Sequence, residues 1–178
     1  DLSRIGAQET KALIMGILIM RLNEYRVVNA KEANSKLRHV TVLEEAHNIL
    51  TRTSTEQSME GSNVTGKSVE MLINSIAEMR TYGESFVIVD QSPTSVHSAA
   101  IKNTNTKIIM RLPDGDDRRI AGKSAALKDN EIDELAKLAT GVAVVYQNDW
   151  LQPVMCKVKM SQQERKPYIP APDRKQSI

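Results

Sequence analysis

The chain of 178 residues has one cysteine, Cys156, which excludes a small protein built on disulfides. It has only eight glycines and six prolines, and this excludes collagen-like and low-complexity chains. Long apolar runs are also missing, since the longest, residues 12–20, is broken by Gly16 and is too short to span a bilayer. No secretory signal is visible at the start. A lone thiol without an export signal predicts a reducing, cytoplasmic compartment and no membrane insertion.

A large excess of charge is missing too. The formal net charge is +2, and the whole excess lies in residues 161–178. Residues 1–160 are charge-balanced, so composition gives no case for a strongly basic nucleic-acid surface. Any contact with DNA would have to be local.

Helical and strand-like segments alternate along the chain. Apolar periodicity predicts helices over 8–24, 68–82, 116–125 and 130–138, and β-rich runs predict strands over 40–43, 86–89, 107–112, 142–147 and 154–158. The first helix is apolar on most sides, and the strand 86–89 is continuously apolar, so both are expected to be buried. The fold class is therefore α/β, with a mainly parallel sheet covered by helices and a β-hairpin at the C-terminal end.

Two segments fall outside this pattern. Residues 51–67 are polar and predict a mobile loop, and residues 161–178 predict an extended or disordered tail. The predicted domain thus covers residues 1–160.

Two acids, Glu44 and Glu45, follow the strand 40–43. A nucleotide hydrolase needs one carboxylate to hold Mg²⁺, usually through water, and another to polarise the water that attacks the γ-phosphorus. The carboxyl ends of parallel strands are where such ligands bind. The alternative is a pair of solvated acids at the start of a loop.

Gln91 follows the strand 86–89 by two residues. If the two strands are neighbours, their ends lie roughly 5 Å apart at the backbone. The Gln91 amide could then bridge the attacking water and the γ-phosphate. The alternative is a turn residue before Ser92 and Pro93.

The segment from Gly61 to Ser68 fits the phosphate-loop pattern G-x-x-x-x-G-K-[ST] letter for letter. A phosphate loop needs a strand directly before it, and the sequence of residues 56–60 does not predict a strand. The match also follows the two-acid strand, where phosphate loops normally come first. We therefore interpret it as coincidence. If it were real, the chain would be a complete small NTPase and Asp90 would become the metal-binding acid.

Arg80 stands near the end of the helix 68–82. A crossover helix runs antiparallel to its strands, so Arg80 is expected at the sheet edge opposite Glu45 and Gln91. From there it could reach the γ-phosphate of a neighbouring subunit in a ring. The alternative is a cation that completes a helix C-terminus. His47 and His97 lack metal-ligand spacing with Cys156, and both are interpreted as structural or solvent-facing.

Four segments together carry a family resemblance: 40–47 (with VLEEAH), 77–83 (AEMRTYG), 87–93 (VIVDQSP) and 103–112 (NTNTKIIMRL). In their order and spacing they resemble the HerA–FtsK group of P-loop ATPases. They look closest to the HerA-like proteins, which include DNA-translocating motors and related type IV secretion ATPases. The similarity covers most of residues 1–158.

The resemblance implies a RecA-like core, a hexameric ring, ATP with Mg²⁺, and DNA or a nuclease or secretion partner. It would make Glu44 and Glu45 the Walker B acids, with Glu44 helping to hold Mg²⁺ and Glu45 catalytic. Gln91 would be the sensor glutamine, and Arg80 an arginine acting on a neighbouring subunit.

The chain departs from this family in one respect. The family's phosphate loop and its strand come before the region of Asp1, and the segment from Gly61 to Ser68 falls where the family has an ordinary loop. We therefore expect this chain to be the C-terminal part of an ATPase domain and to lack the strand and helix that flank the phosphate loop. Such a chain alone should bind ATP poorly and be inactive, because most donors to the phosphates are missing. A third possibility is a non-enzymatic assembly module.

Overall fold

A computed structural model describes residues 6–30, 34–52 and 61–160 of the chain. Its helices are α1 (Gln8–Val28), α2 (Gly61–Met79), α3 (Ser98–Asn103), α4 (Gly115–Ser124) and α5 (Asp129–Glu134). Its strands are β1 (His39–Glu44), β2 (Glu84–Val89), β3 (Thr106–Ile109), β4 (Val142–Gln147) and β5 (Val154–Lys157). Short 3₁₀ turns cover Ala46–Asn48, Arg80–Tyr82, Pro93–Ser95 and Leu135–Lys137.

The first unit is a parallel pair of strands with helices on one face. β1 and β2 pair from His39 opposite Glu84 to Glu44 opposite Val89. Leu43 on β1 is buried in a core with Ile19 of α1 and Ile73 of α2. The parallel pairing confirms that the two strands are neighbours, so their carboxyl ends share one edge of the sheet.

Gly83 sets the tight connection from α2 into β2. Its φ of 82° lies in the left-handed region, and a Cβ at this position would lie 2.4 Å from the carbonyl oxygen of Lys36. Only glycine fits both the conformation and the space. The Gly83 carbonyl also accepts hydrogen bonds from the backbone N–H groups of Arg38 and His39, which fixes where β1 begins.

The second unit is a three-stranded antiparallel sheet in the order β3-β4-β5, covered by α4 and α5. Its core contains Ile109, Ala125, Ile132, Leu135 and Val144. The β4–β5 pair confirms the C-terminal hairpin. The α/β fold class is thus confirmed. The parallel arrangement belongs to β1 and β2, whereas β3 to β5 form a separate antiparallel sheet, of which only the β4–β5 hairpin was predicted.

The structure corrects one predicted boundary. Residues 61–67, expected to be part of a mobile loop, form the first turns of α2. The apolar stripe that predicts the helix starts only at Val69, and the polar first turns carry no periodic signal. Of the rest of that expected loop, residues 53–60 lie outside the described residues, as does the expected tail 161–178.

Two elements are less buried than expected. Leu13 and Leu18 of α1 are 64% and 58% exposed, because α1 packs mainly against α2 and the Ala46–Asn48 turn. Val87 and Val89 of β2 are each 45% exposed, since helices cover only one face of the β1–β2 pair. None of the described helices is long and apolar enough to cross a membrane.

Candidate active site

The parallel pairing brings the second of the two acids, Glu45, and the amide of Gln91 together. Glu45 comes directly after β1, and Gln91 comes two residues after β2. Gln91 Nε2 donates a hydrogen bond of 2.8 Å to Glu45 Oε1. The structure therefore places both side chains at the same edge of the sheet and in contact, as the neighbouring strands predict.

Glu45 is turned into position by an unusual backbone conformation. Its φ and ψ are 50° and 52°, in the left-handed region that non-glycine residues rarely adopt. Asn48 holds this turn, because its backbone N–H and its side-chain amide both donate to the Glu45 carbonyl oxygen, at 3.0 and 2.9 Å. Such strain costs on the order of 1 kcal/mol and is concentrated at functional sites.

Asp90 and His47 complete the cluster. The backbone N–H of His47 donates to Asp90 Oδ2 at 2.8 Å, and His47 Nδ1 lies 2.9 Å from the same oxygen. The backbone N–H of Ser92 donates to Asp90 Oδ1 at 2.9 Å. His47 Nδ1 is also 3.6 Å from Glu45 Oε2. The imidazole thus lies between two carboxylates.

Asp90 is ionised in this environment. Burial of its side chain, which is only 7% exposed, raises its pKa, but the hydrogen bonds from Ser92 and His47 outweigh burial and hold the pKa below the usual value. A carboxylate accepts hydrogen bonds only, so the His47 ring carries a proton on Nδ1.

The sequence analysis gave neither residue a place beside Glu45 and Gln91. His47 was expected to be structural or solvent-facing, and Asp90 had a role only in the phosphate-loop alternative. The structure places both side chains next to Glu45, at the same edge of the sheet. The sequence did contain a signal for this placement. His47 comes two residues after Glu45 and Asp90 comes one residue before Gln91, so both lie at the same two strand ends.

Glu44 and Arg80 do not contact this cluster within the described residues. Glu44 is exposed on the opposite face of β1 from the buried Leu43, and within the described residues its carboxylate has no hydrogen bond or ion pair. Arg80 is exposed just before β2 begins. It therefore lies at the sheet edge opposite Glu45 and Gln91, as the crossover geometry predicts.

The structure does not support the phosphate-loop alternative. A phosphate loop precedes its helix and wraps backbone N–H groups around the phosphates. Every residue from Gly61 to Ser68 lies inside α2 instead. From Thr65 onward the helical backbone turns these N–H groups toward carbonyl oxygens of the preceding turn. The sequence match is therefore not accompanied by the matching structure.

A second network fixes the turn that follows Gln91. Asp117 is 7% exposed, and its Oδ1 accepts a hydrogen bond of 2.8 Å from the backbone N–H of Thr94. Asp114 caps α4 by accepting from the backbone N–H groups of Asp116 and Asp117. An open cleft of about 710 Å³ lies beside this turn. It is lined by Arg52, Ser92, Thr94, Asp114, Asp117 and Arg119, among others.

Solved structures share this architecture. VirB4 of Thermoanaerobacter pseudethanolicus matches with a TM-score of 0.66 and 15% identity over 91% of the chain. The genome packaging NTPase B204 of Sulfolobus turreted icosahedral virus 2, in complex with AMPPCP, matches with a TM-score of 0.57 and 11% identity over 82% of the chain. The same NTPase in complex with AMP gives a TM-score of 0.55.

The chain has the fold of these proteins. The RecA-like fold class, and with it the resemblance to the HerA–FtsK group at the level of the fold, is thereby confirmed. The chain spans 63% of the B204 chain and 40% of the VirB4 chain. No protein-family model and no curated protein sequence matches it.

Proposed function

We propose that this chain is part of an ATP-hydrolysing ring motor of the HerA-like type, which translocates DNA, or protein or DNA in secretion. The hydrogen bond between Gln91 and Glu45 at the carboxyl edge of a parallel strand pair carries the proposal. The shared fold with B204, a genome packaging NTPase solved with AMPPCP and with AMP, supports it. Turnover belongs to the intact protein, and the chain alone is expected to be inactive.

Glu45 acts as the general base in this proposal. One of its oxygens accepts the Gln91 amide, and half of its side chain is exposed to solvent. Its second oxygen can accept a hydrogen bond from a water molecule. As that water attacks, its oxygen bonds to the γ-phosphorus, the bond to the bridging oxygen of ADP breaks, and the proton passes to Glu45.

Gln91 positions this carboxylate and senses the γ-phosphate. Its Nε2 group donates to Glu45 Oε1, so the orientation of the carboxylate depends on the amide. A phosphate oxygen that accepts from the same amide would weaken this bond. The presence of the γ-phosphate would thereby be communicated to the base.

The residues at the strand end fit Mg²⁺. Glu44 offers an exposed carboxylate that has no partner within the described residues, and Mg²⁺ prefers oxygen ligands of this type. Glu44 would help hold the ion through water. When bound, Mg²⁺ neutralises charge on the β- and γ-phosphates.

Arg80 completes the site of a neighbouring subunit in the ring. It lies at the edge opposite Glu45, it is exposed, and its guanidinium has no partner within the described residues. A free guanidinium at that edge suits a γ-phosphate held by another copy.

The test is a Glu45→Gln substitution in the full-length protein. It removes the base but keeps the size of the side chain, so ATP turnover should fall by about 100-fold or more while ATP binding is retained. The control is Glu70→Gln, which removes one exposed carboxylate from α2 and should leave turnover unchanged. Unchanged turnover in the Glu45→Gln protein would refute the mechanism. A parent protein that still performs its cellular role with both Glu44 and Glu45 replaced would favour an assembly module instead.

A further inference from the structure

Three different metal-binding groups converge at the two strand ends. Glu45, His47 and Asp90 each offer a ligand atom, and these three atoms lie within 4.8 Å of one another. The imidazole Nδ1 of His47 is 2.9 Å from Asp90 Oδ2 and 3.6 Å from Glu45 Oε2. Within residues 6–30, 34–52 and 61–160, this is the one group of three such side chains.

Each carboxylate is oriented by hydrogen bonds and has one oxygen directed at the imidazole; on Asp90 that oxygen, Oδ2, also accepts from the backbone N–H of His47. Glu45 Oε1 accepts from Gln91 Nε2, while Glu45 Oε2 faces His47. Asp90 Oδ1 accepts from the backbone N–H of Ser92, while Asp90 Oδ2 faces the same nitrogen. Hydrogen bonds of this kind behind the ligands are what orients side chains in metal sites. Hydrogen bonds from Gln91 and Ser92, which are not ligands themselves, therefore help to direct both carboxylates toward His47 Nδ1.

We infer that Glu45 Oε2, His47 Nδ1 and Asp90 Oδ2 form a binding site for a divalent transition-metal ion of the zinc type. Zinc–nitrogen and zinc–oxygen bonds are about 2.0 to 2.2 Å long, so tetrahedral ligands lie about 3.3 Å apart. The separations of 2.9 and 3.6 Å lie on either side of this value. Three protein ligands leave one position for water or another ligand.

The chemistry of the ligands selects the kind of ion. Imidazole suits zinc, copper, iron and nickel, whereas Mg²⁺ prefers an all-oxygen shell. The site is thus distinct from the Mg²⁺ role proposed for Glu44. Binding replaces the proton on His47 Nδ1, and that proton is released to solvent.

The site is accessible and anchored. The side chains of His47 and Glu45 are 32% and 49% exposed, which gives an ion a route from solvent. Asp90 is nearly buried and is held by two backbone N–H groups, so it would bind with little loss of conformational freedom.

Occupation would affect the proposed hydrolysis, a consequence that rests on the proposed function. A metal ion on Glu45 Oε2 takes the oxygen that would accept the proton of the attacking water. Zinc should therefore inhibit turnover in the full-length protein. Binding itself does not depend on that function and can be measured without ATP.

The experiment measures Zn²⁺ binding to the 178-residue chain by competition with a chromophoric chelator near pH 7.5. Cys156→Ser is introduced throughout, so that the lone thiol cannot contribute. The test variant is His47→Asn, whose amide can still donate to Asp90 but binds zinc poorly. The matched control is His97→Asn. His97 accepts from the backbone N–H of Ala99 as an N-cap, and asparagine keeps that function.

We expect His47→Asn to weaken Zn²⁺ binding by about tenfold or more and His97→Asn to leave it unchanged. Glu45→Gln should also weaken it, and the urea midpoint of each variant monitors folding. Equal affinity in wild type and His47→Asn, or an equal loss in His97→Asn, would overturn the inference. Loss of turnover in Glu45→Gln with no specific zinc binding would refute the metal site and leave the proposed function standing.

Discussion

A buried charge network at the opposite edge of the sheet provides a stability test. Glu84 begins β2, and its side chain is fully buried. Its Oε2 accepts a hydrogen bond of 2.9 Å from Arg26 Nε of α1 and forms an ion pair of 2.8 Å with Arg26 Nη2. Its Oε1 accepts from Thr41 at 2.6 Å and lies 2.7 Å from His39 Nδ1. The network ties α1 to both strands where they begin, and so helps fix the register that brings Glu45 to Gln91.

Replacing Arg26 with methionine keeps the apolar stem of the side chain and removes its charge. Glu84 Oε2 then loses both of its donors inside the protein, while Thr41 and His39 still hold Oε1. Breaking a buried pair costs about 3 to 5 kcal/mol, and the remaining bonds place this case at the lower end, about 3 kcal/mol. The matched control is Arg21→Met on the same helix. Arg21 pairs with Glu24 at the surface, a contact worth about 0.3 to 0.5 kcal/mol.

The assay is urea denaturation of the single variants Arg26→Met, Arg21→Met and Glu84→Gln, and of the double variant that combines Arg26→Met with Glu84→Gln. The double variant carries no buried charge, so its loss of stability should be smaller than the sum of the two single losses. The reasoning would be refuted if Arg26→Met lowered the free energy of unfolding no more than Arg21→Met does. It would also be refuted if the loss in the double variant equalled the sum of the losses in Arg26→Met and Glu84→Gln, because Glu84 would then not be a buried charge that depends on Arg26.

Two further predictions concern the ring and the pH dependence. Mixing full-length Arg80→Ala subunits with Glu45→Gln subunits should restore part of the ATPase activity that each variant lacks, because some interfaces then combine an intact Arg80 with an intact Glu45. Activity that stays at the level of the separate variants would contradict an action across the interface. Burial raises the pKa of Glu84, but the bonds from Thr41, His39 and Arg26 outweigh it, so the pKa lies below its ordinary value of 4.5. The folded state therefore binds the proton of the Glu84 carboxyl group less tightly than the unfolded state does. The ionised Glu84 thus stabilises the folded protein at pH values above 4.5. This stabilisation should be lost as pH falls below 4.5, more steeply in wild type than in Glu84→Gln, as measured by urea midpoints.

The sequence predicted the elements that position the site, because their signals are local. Apolar β-rich runs mark β1 and β2, and parallel neighbours must share a carboxyl edge, so the meeting of Glu45 and Gln91 could be predicted from the chain alone. The opposite placement of Arg80 follows from the same crossover geometry.

The residues that were missed depend on contacts between distant segments. His47 reaches Asp90 only because Glu45 adopts a left-handed conformation that no sequence pattern announces. The burial of Glu84 depends on a helix 58 residues earlier in the chain. The six residues of α3 are too few to show helical periodicity.

At Glu45 the left-handed backbone lowers the stability of the fold, whereas the side chain supplies the proposed chemistry. Glycine adopts φ near 50° without a steric cost, so glycine in place of this glutamate would relieve about 1 kcal/mol of strain, offset in part by the entropy that glycine loses on folding. The chain would also lose its proposed proton acceptor. A substitution chosen to relieve strain at this turn would therefore remove the base of the proposed motor.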